Sequence, residues 1–303
     1  VVKETVPTTP TPAFDPDSAY GYVARQVAFG PRVPGTPAHA ACGDWLVAKL
    51  KDNGAEVIEQ RGTVKAFNGQ DLPVRNIIAS WGPATGERLL LFAHWDTRPF
   101  ADHDTERRNE PIDGANDGGS GVGVWLEVAR HLAATPPPLA VDIIFFDVED
   151  FGQPNGAMSA NSNSSATWCL GSQYWVKNLH RPGYTARFGI LLDMVGARDA
   201  VFHPEAISMN FAPHVVSKVW RTGQALGHGD RFREGVKYFV GTDDHDVVNR
   251  NLRIPCIDII EYDPTTEGFN SSWHTHADNL EVIDPNTLNA VGRTVMEVIW
   301  KEK

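Results

Sequence analysis

The sequence predicts an α/β fold: a single domain with a mostly parallel, twisted central sheet and helices on both faces. Three observations predict it. Short apolar runs recur, helical apolar periodicities separate them, and polar residues gather where the runs end. At 303 residues, with 42% hydrophobic and 21% charged residues, the chain can bury one large core. Residues 1–17 (VVKETVPTTPTPAFDPD) are rich in Thr and Pro and read as a tether, leaving residues 18–303 as the folded domain. Such a start fits a mature terminus trailing from a secretion signal or lipid anchor, so a periplasmic or secreted location is expected. No run of about 18 apolar residues suggests a membrane span.

Between Ser18 and Asn53, apolar residues including Tyr22, Val23, Val27, Trp45, Leu46 and Leu50 recur at helical intervals, interrupted by the Pro/Gly stretch Gly30 to Pro37. Two helices are therefore expected first. Five buried strands follow: Val74 to Ser80, Arg88 to His94, Val141 to Phe146, Phe188 to Val195 and Ile254 to Ile260. They alternate with helical patterns at Val122 to Leu132, Tyr174 to Leu179, Pro213 to Ala225, His245 to Asn251 and Pro285 to Trp300. Two polar stretches, Arg98 to Gly114 and Phe151 to Gly171, exceed the usual βα loop and suggest a lid or rim, the plainer alternative being an insertion without a role.

A formal charge of -11 and the lack of any Lys/Arg cluster argue against a nucleic-acid surface. Cys42, Cys169 and Cys256 are few, odd in number and widely spaced, so they read as core thiols rather than disulfides or a thiolate metal site.

In open parallel sheets the ligand crevice lies beyond the carboxyl ends of the strands. Here LLLFA ends in His94-Trp95-Asp96, VDIIFF in Asp147-Val148-Glu149-Asp150, and GILL in Asp193. The glycine-rich segment Gly114 to Gly121 brings Asp117 to the same crevice, and Asp243-Asp244-His245 and Trp273-His274 can reach it from the C-terminal third. Oxygen and imidazole donors without cysteine suit a catalytic Zn²⁺ with three protein ligands, for which Asp117, Asp150 and His274 are the candidates. Glu149, adjacent to a ligand yet free of the metal, is placed as a metal-assisted general base.

Each residue alone has a plainer reading. Asp117 can cap the next helix, Glu149 and Asp150 can be a solvated strand end, and His94, His274 and Trp273 can be structural. Their coincidence at one sheet edge favours a site.

The ordered motifs His94-x-Asp96, Gly114-Ala-Asn-Asp117, Phe145-Phe-Asp-Val-Glu149-Asp150, Leu191-Leu-Asp193, Asp243-Asp-His245 and Trp273-His274-Thr-x-x-Asp278 resemble the zinc aminopeptidase family. Within it they are most similar to the glutaminyl cyclase branch of animals and some bacteria, from about Tyr20 to Trp300. The resemblance implies one zinc ion on Asp117, Asp150 and His274, Glu149 as general base and acid, and Asp193 and Asp243 as its hydrogen-bonding partners. It also implies a substrate pocket of Trp168, Trp273 and Asp258. Asp258 stands where animal cyclases carry histidine, Asp150 where they carry glutamate, and an insertion precedes Trp168. The disulfide of animal enzymes has no counterpart at Ala93.

The reaction so implied is ring closure of an N-terminal glutamine in a peptide or protein, giving pyroglutamate and ammonia. The alternative is an aminopeptidase using two zinc ions, with His94 and Asp193 as ligands of the second. A catalytically silent binding module of the same fold is a third reading, and the presence of Glu149 with every candidate ligand argues against it.

Overall fold

Each of the five apolar runs forms a strand, and a sixth strand precedes them. A computed structural model describes residues 10–154, 164–235, 237–266 and 268–303. Helices α1 (Pro16–Val27) and α2 (Pro37–Asp52) lead into β1 (Glu56–Lys65), β2 (Asp71–Trp81) and β3 (Arg88–His94). There follow α3 (Gly119–Leu132), β4 (Ala140–Phe146), α4 (Leu170–Lys177), β5 (Phe188–Asp193), α5 (Ala206–Phe211), α6 (Pro213–Ala225), α7 (Asp244–Leu252), β6 (Cys256–Ile260) and α8 (Pro285–Lys301).

The strands form one sheet in the order β1-β2-β4-β3-β5-β6. The pairings β3 with β4, β3 with β5, and β5 with β6 are parallel, whereas β1 with β2 and β2 with β4 are antiparallel. The sheet is thus mixed. Its parallel part, β3 to β6, includes the three strands that deliver polar residues, and the antiparallel part is the hairpin that the sequence pattern only half revealed. β1 escaped notice because it is a half-exposed edge strand carrying Glu56, Glu59, Gln60, Arg61 and Lys65, the polar dressing that blunts an open edge. The six-residue α5 was too short to show a period.

Period-two alternation along the central strands separates two cores. Leu89, Leu91 and Ala93 of β3, with Val141, Ile143 and Phe145 of β4, face a large cluster that includes residues of α1, α2, α3, α6 and α8. Leu90, Phe92, Ile144 and Phe146 face Trp175 of α4 and Val248 of α7. Helices therefore cover both faces. β3 is flanked by β4 on one side and β5 on the other, so the chain reverses its winding at β3 and opens a crevice at the carboxyl ends of these strands.

The folded unit starts ahead of residue 18. Asp15 caps α1 by accepting from the amides of Asp17 and Ser18, Phe14 is buried in the large core, and Thr11 donates to Glu297 of α8. The expected tether of residues 1–17 is corrected accordingly: residues from Thr11 onward belong to the domain, and residues 1–9 lie outside the described residues. The three cysteines are buried and unpaired, as core thiols should be.

Candidate active site

The turn after β3 begins the site. His94 and Asp96 are buried, and the Asp96 carboxylate accepts from two consecutive amides after β4, those of Glu149 (3.1 Å) and Asp150 (3.2 Å). One carboxylate thereby sets the backbone of two site residues on the neighbouring strand. Asp278 does the same for the glycine-rich segment, accepting from the amides of Asn116 (2.7 Å) and Asp117 (3.1 Å). Gly118, at φ 81°, turns the chain into α3 so close beneath His94 that a Cβ would lie 2.9 Å from its Cε1. Gly118 is the N-cap of α3, so Asp117 is not its cap. Val148, Cys169, Met194 and His274 all take left-handed φ angles of 47–56°, backbone strain concentrated where β4, β5 and two loops converge.

Three expected ligands meet here. The donor atoms of Asp117, Asp150 and His274 lie within 4.8 Å of one another. His274 Nε2 is 3.2 Å from Asp150 Oδ1 and 3.5 Å from Asp117 Oδ2. Ligands about 2.0–2.1 Å from a tetrahedral zinc would stand about 3.3 Å apart, so the donors already have the spacing of such a shell. Asp117 Oδ2 and Asp150 Oδ2 are buried without hydrogen-bond partners, which a cation would remedy. Burial, and then the charge of Asp150, push the Asp117 carboxyl up to about 6, a mutual repulsion that a cation would also relieve. Zinc fits this donor set.

His94 Nε2 lies 3.0 Å from Asp117 Oδ1 and 3.3 Å from Asp193 Oδ1. Burial opposes a charge on His94, but hydrogen bonds to Asp117, Asp193 and Asp96 prevail and its pKa rises well above the ordinary value. His94, Asp117 and Asp193 form a second close group of possible ligands.

Glu149 faces the same cavity. Burial, opposed by His94 but aided by Asp150 and Asp243, raises its carboxyl well above the usual range. The Cys169 thiol donates to Glu149 Oε1 at 3.1 Å, while the Cys169 amide donates to the Glu149 carbonyl at 3.0 Å. Asp243, at the N-terminus of α7, comes within 4.8 Å of both. Asp193 lines the cavity too, but its hydrogen bond goes to His94 rather than to Glu149, where the sequence reading had placed it.

The cavity has a volume of about 250 Å³ and is lined by Asp117, Glu149, Asp150, Trp168, Asp193, Asp243, Trp273 and His274, with Phe269, Ile260 and Val240 among its apolar walls. Trp273 stacks on His274 with centroids 3.9 Å apart, and Trp168 lies parallel to the same imidazole at 6.0 Å. Both tryptophans are half-buried. Asp258 is a correction. It sits two residues before the end of β6, fully buried beside Asp243 and His245, and is not among the lining residues. Its carboxyl is pushed well above the usual range by burial and then by Asp243, so it backs the site instead of touching what enters it.

The charged stretch Arg98 to Gly114 folds onto the site as a rim: the His103 amide donates to the His274 carbonyl, and Asp104 accepts from the amide and ring of His276. Of Phe151 to Gly171, residues 155–163 lie outside the described residues, and the flanking Gln153, Ser165 and Trp168 line the cavity. Sequence reasoning missed Arg98, Asp102, His103 and Cys169. Arg98 alone carried a signal, a cation four residues past a strand-end histidine.

Known proteins share this fold. The chain is similar to a glutaminyl cyclase from Bacteroides thetaiotaomicron, 51% identical, with 97% of this chain and all of that one superposed at a TM-score of 0.94. It is equally similar to a Zn-dependent exopeptidase from Parabacteroides distasonis, 50% identical over 97% of this chain and all of the other, TM-score 0.93. Among curated relatives, aminopeptidase YwaD of Bacillus subtilis is 27% identical over 85% of this chain, which spans about half (52%) of that protein's length. The profile of peptidase family M28 matches residues 76–299, about three quarters of the sequence and every strand from β3 to β6, and the chain belongs to that family.

Proposed function

We propose that this chain is a glutaminyl cyclase, converting the N-terminal glutamine of peptides or proteins to pyroglutamate with release of ammonia, and that it works with a single zinc ion. The observation that carries this reading is the size of the cavity. A cavity of about 250 Å³ whose lining includes Trp168 and Trp273 is below the ~300–1,000 Å³ of ordinary ligand pockets and suits one terminal residue. Whole-length identity of 51% to a glutaminyl cyclase supports it.

Asp117, Asp150 and His274 would hold the zinc ion, which would supply electrophilic stabilisation for the charge that develops on the substrate's amide oxygen. Glu149 takes a proton from the attacking α-amine as nitrogen bonds to the side-chain amide carbon, then returns it to the departing nitrogen, which leaves as ammonia. The thiol of Cys169 holds that carboxyl group in reach of the cavity, with Asp243 close by. Trp168 and Trp273 confine the short side chain to a folded, attack-ready pose and keep bulk water from hydrolysing it. His94 Nε2 pairs with Asp117 Oδ1 while Oδ2 has no hydrogen-bond partner and stays open to a metal, which supports one ion there.

The second reading, a two-zinc aminopeptidase, draws on the close grouping of His94, Asp117 and Asp193. Incubation with a Gln-initiated and a Leu-initiated dipeptide, followed by mass spectrometry, separates the two. Loss of one ammonia with the peptide bond intact is expected; release of free Gln or Leu would overturn the cyclase reading. No helix among the described residues is long and apolar enough to cross a membrane.

A further inference from the structure

Two ligands and one wall of the site converge on a side chain that none of the site's assigned roles uses. Arg98 is fully buried and lies in the loop after β3. Its Nε and Nη2 donate to the two oxygens of Asp102 at 2.7 and 2.8 Å. Its Nη1 donates to the Asp150 carbonyl at 2.9 Å and reaches the Gly152 carbonyl at 3.3 Å and Asp150 Oδ1 at 3.4 Å. The plane of the guanidinium covers the Trp168 ring, with Cζ 4.6 Å from the centroid. Asp102, so held, turns Oδ1 toward His274 Nδ1 at 3.4 Å.

We propose that Arg98 is a positioning residue of the metal site, fixing Asp150 through its backbone carbonyl, His274 through Asp102, and the substrate wall through the face of Trp168. The inference rests on reading Asp117, Asp150 and His274 as the zinc shell. A carboxylate facing Nδ1 selects the tautomer with the proton there and leaves the Nε2 lone pair for the ion; this outer arrangement orients a ligating histidine in many zinc sites. Asp102 could not do this alone, because a buried carboxylate with one histidine partner is free to rotate and carries an unbalanced charge. The planar fork of Arg98 removes both problems. It binds the carboxylate through two parallel bonds, balances its charge, and keeps a third nitrogen for Asp150. Lysine has one point of attachment, so the geometry demands arginine.

The test is equilibrium zinc affinity, measured by competition with a chromophoric chelator, for the wild type, Arg98→Met, Arg98→Lys and Asp102→Asn. Cyclase kinetics with a Gln-initiated peptide are taken at saturating zinc. Arg98→Met is expected to bind zinc roughly 10–100-fold more weakly, the usual scale for losing an outer partner of a metal ligand. Arg98→Lys should recover part of that loss, and Asp102→Asn should weaken zinc binding while leaving Arg98 to hold Asp150. With zinc restored, kcat should fall more than KM rises, because misplaced groups act on the reacting state. Zinc affinities within twofold of wild type in Arg98→Met and Asp102→Asn would overturn the proposal. Should Arg98→Met fail to fold, Arg98→Lys and Asp102→Asn decide: unchanged affinity in both overturns it, and weakened affinity in both upholds it. A wild-type chain that binds no zinc would remove the metal reading and this inference together, whereas tight wild-type binding with unaltered variants removes this inference alone.

Discussion

Replacing Asp96 by Asn tests whether one carboxylate sets the geometry of the turn after β4. The side chain is fully buried, and its two oxygens each accept one amide, from Glu149 at 3.1 Å and Asp150 at 3.2 Å. Asparagine has the same shape but one acceptor, so one amide keeps a neutral hydrogen bond while the other confronts an NH₂ group. A hydrogen bond to a charged acceptor contributes about 1.5–3 kcal/mol, and an amide left buried without a partner costs about 1–3 kcal/mol. Together these give a destabilisation of about 2.5–6 kcal/mol. The turn also contains Val148 at φ 54°, a strained conformation for a β-branched residue that relaxes once the clamp opens. Relaxation would carry Glu149 and Asp150 with it. Urea unfolding of the metal-free protein measures the stability loss, and chelator competition measures the accompanying loss of zinc affinity. A change below 1 kcal/mol with unaltered zinc binding would refute the reasoning and show that strand pairing, not Asp96, holds the turn.

Glu149→Gln should retain its zinc, since Glu149 is outside the triad, while kcat falls about 10²–10⁴-fold, the range for loss of a general base; steady-state kinetics with metal analysis would show it. Chelation should abolish turnover, and titrating zinc back should restore the full rate at one equivalent, two equivalents favouring a dinuclear site. Asp244 is fully buried beside Ser172, and burial, followed by the charge of Asp243, pushes its carboxyl up to about 8. Below the unfolded value near 4 both states hold the proton, and between about 4 and 8 only the folded state does, so this group costs stability increasingly as pH rises through that window. Asp244→Asn should therefore gain thermal stability over wild type as pH rises from 4 to 8 and match it near pH 4; a pH-independent difference in melting temperature would exclude this account.

Which residues could be read in advance follows from how each is held in place. The apolar runs LLLFA, IIFF and GILL hold no polar side chain until they emerge, so the polar residues that follow each run marked the sheet edge, and His94, Glu149, Asp150 and Asp193 were legible for that reason. Asp258 was placed in the pocket by resemblance alone, yet it precedes two more isoleucines; the strand continues to Ile260 and leaves the carboxylate behind the cavity lining. β1 hid behind the polar pattern of an edge, and with it the antiparallel half of the sheet. The contacts of Arg98, Asp102 and Cys169 could not be read in advance, for a different reason. Their positions depend on loops that close back on the site through contacts distant in sequence: Arg98 reaches Asp150 across 52 residues, Cys169 reaches Glu149 across 20, and the His103 amide meets the His274 carbonyl. Local periodicity can locate the ends of strands, where the ligands sit. It cannot locate the groups that orient those ligands, because their partners are chosen by folding, so the outer layer of this site had to be read from its hydrogen bonds.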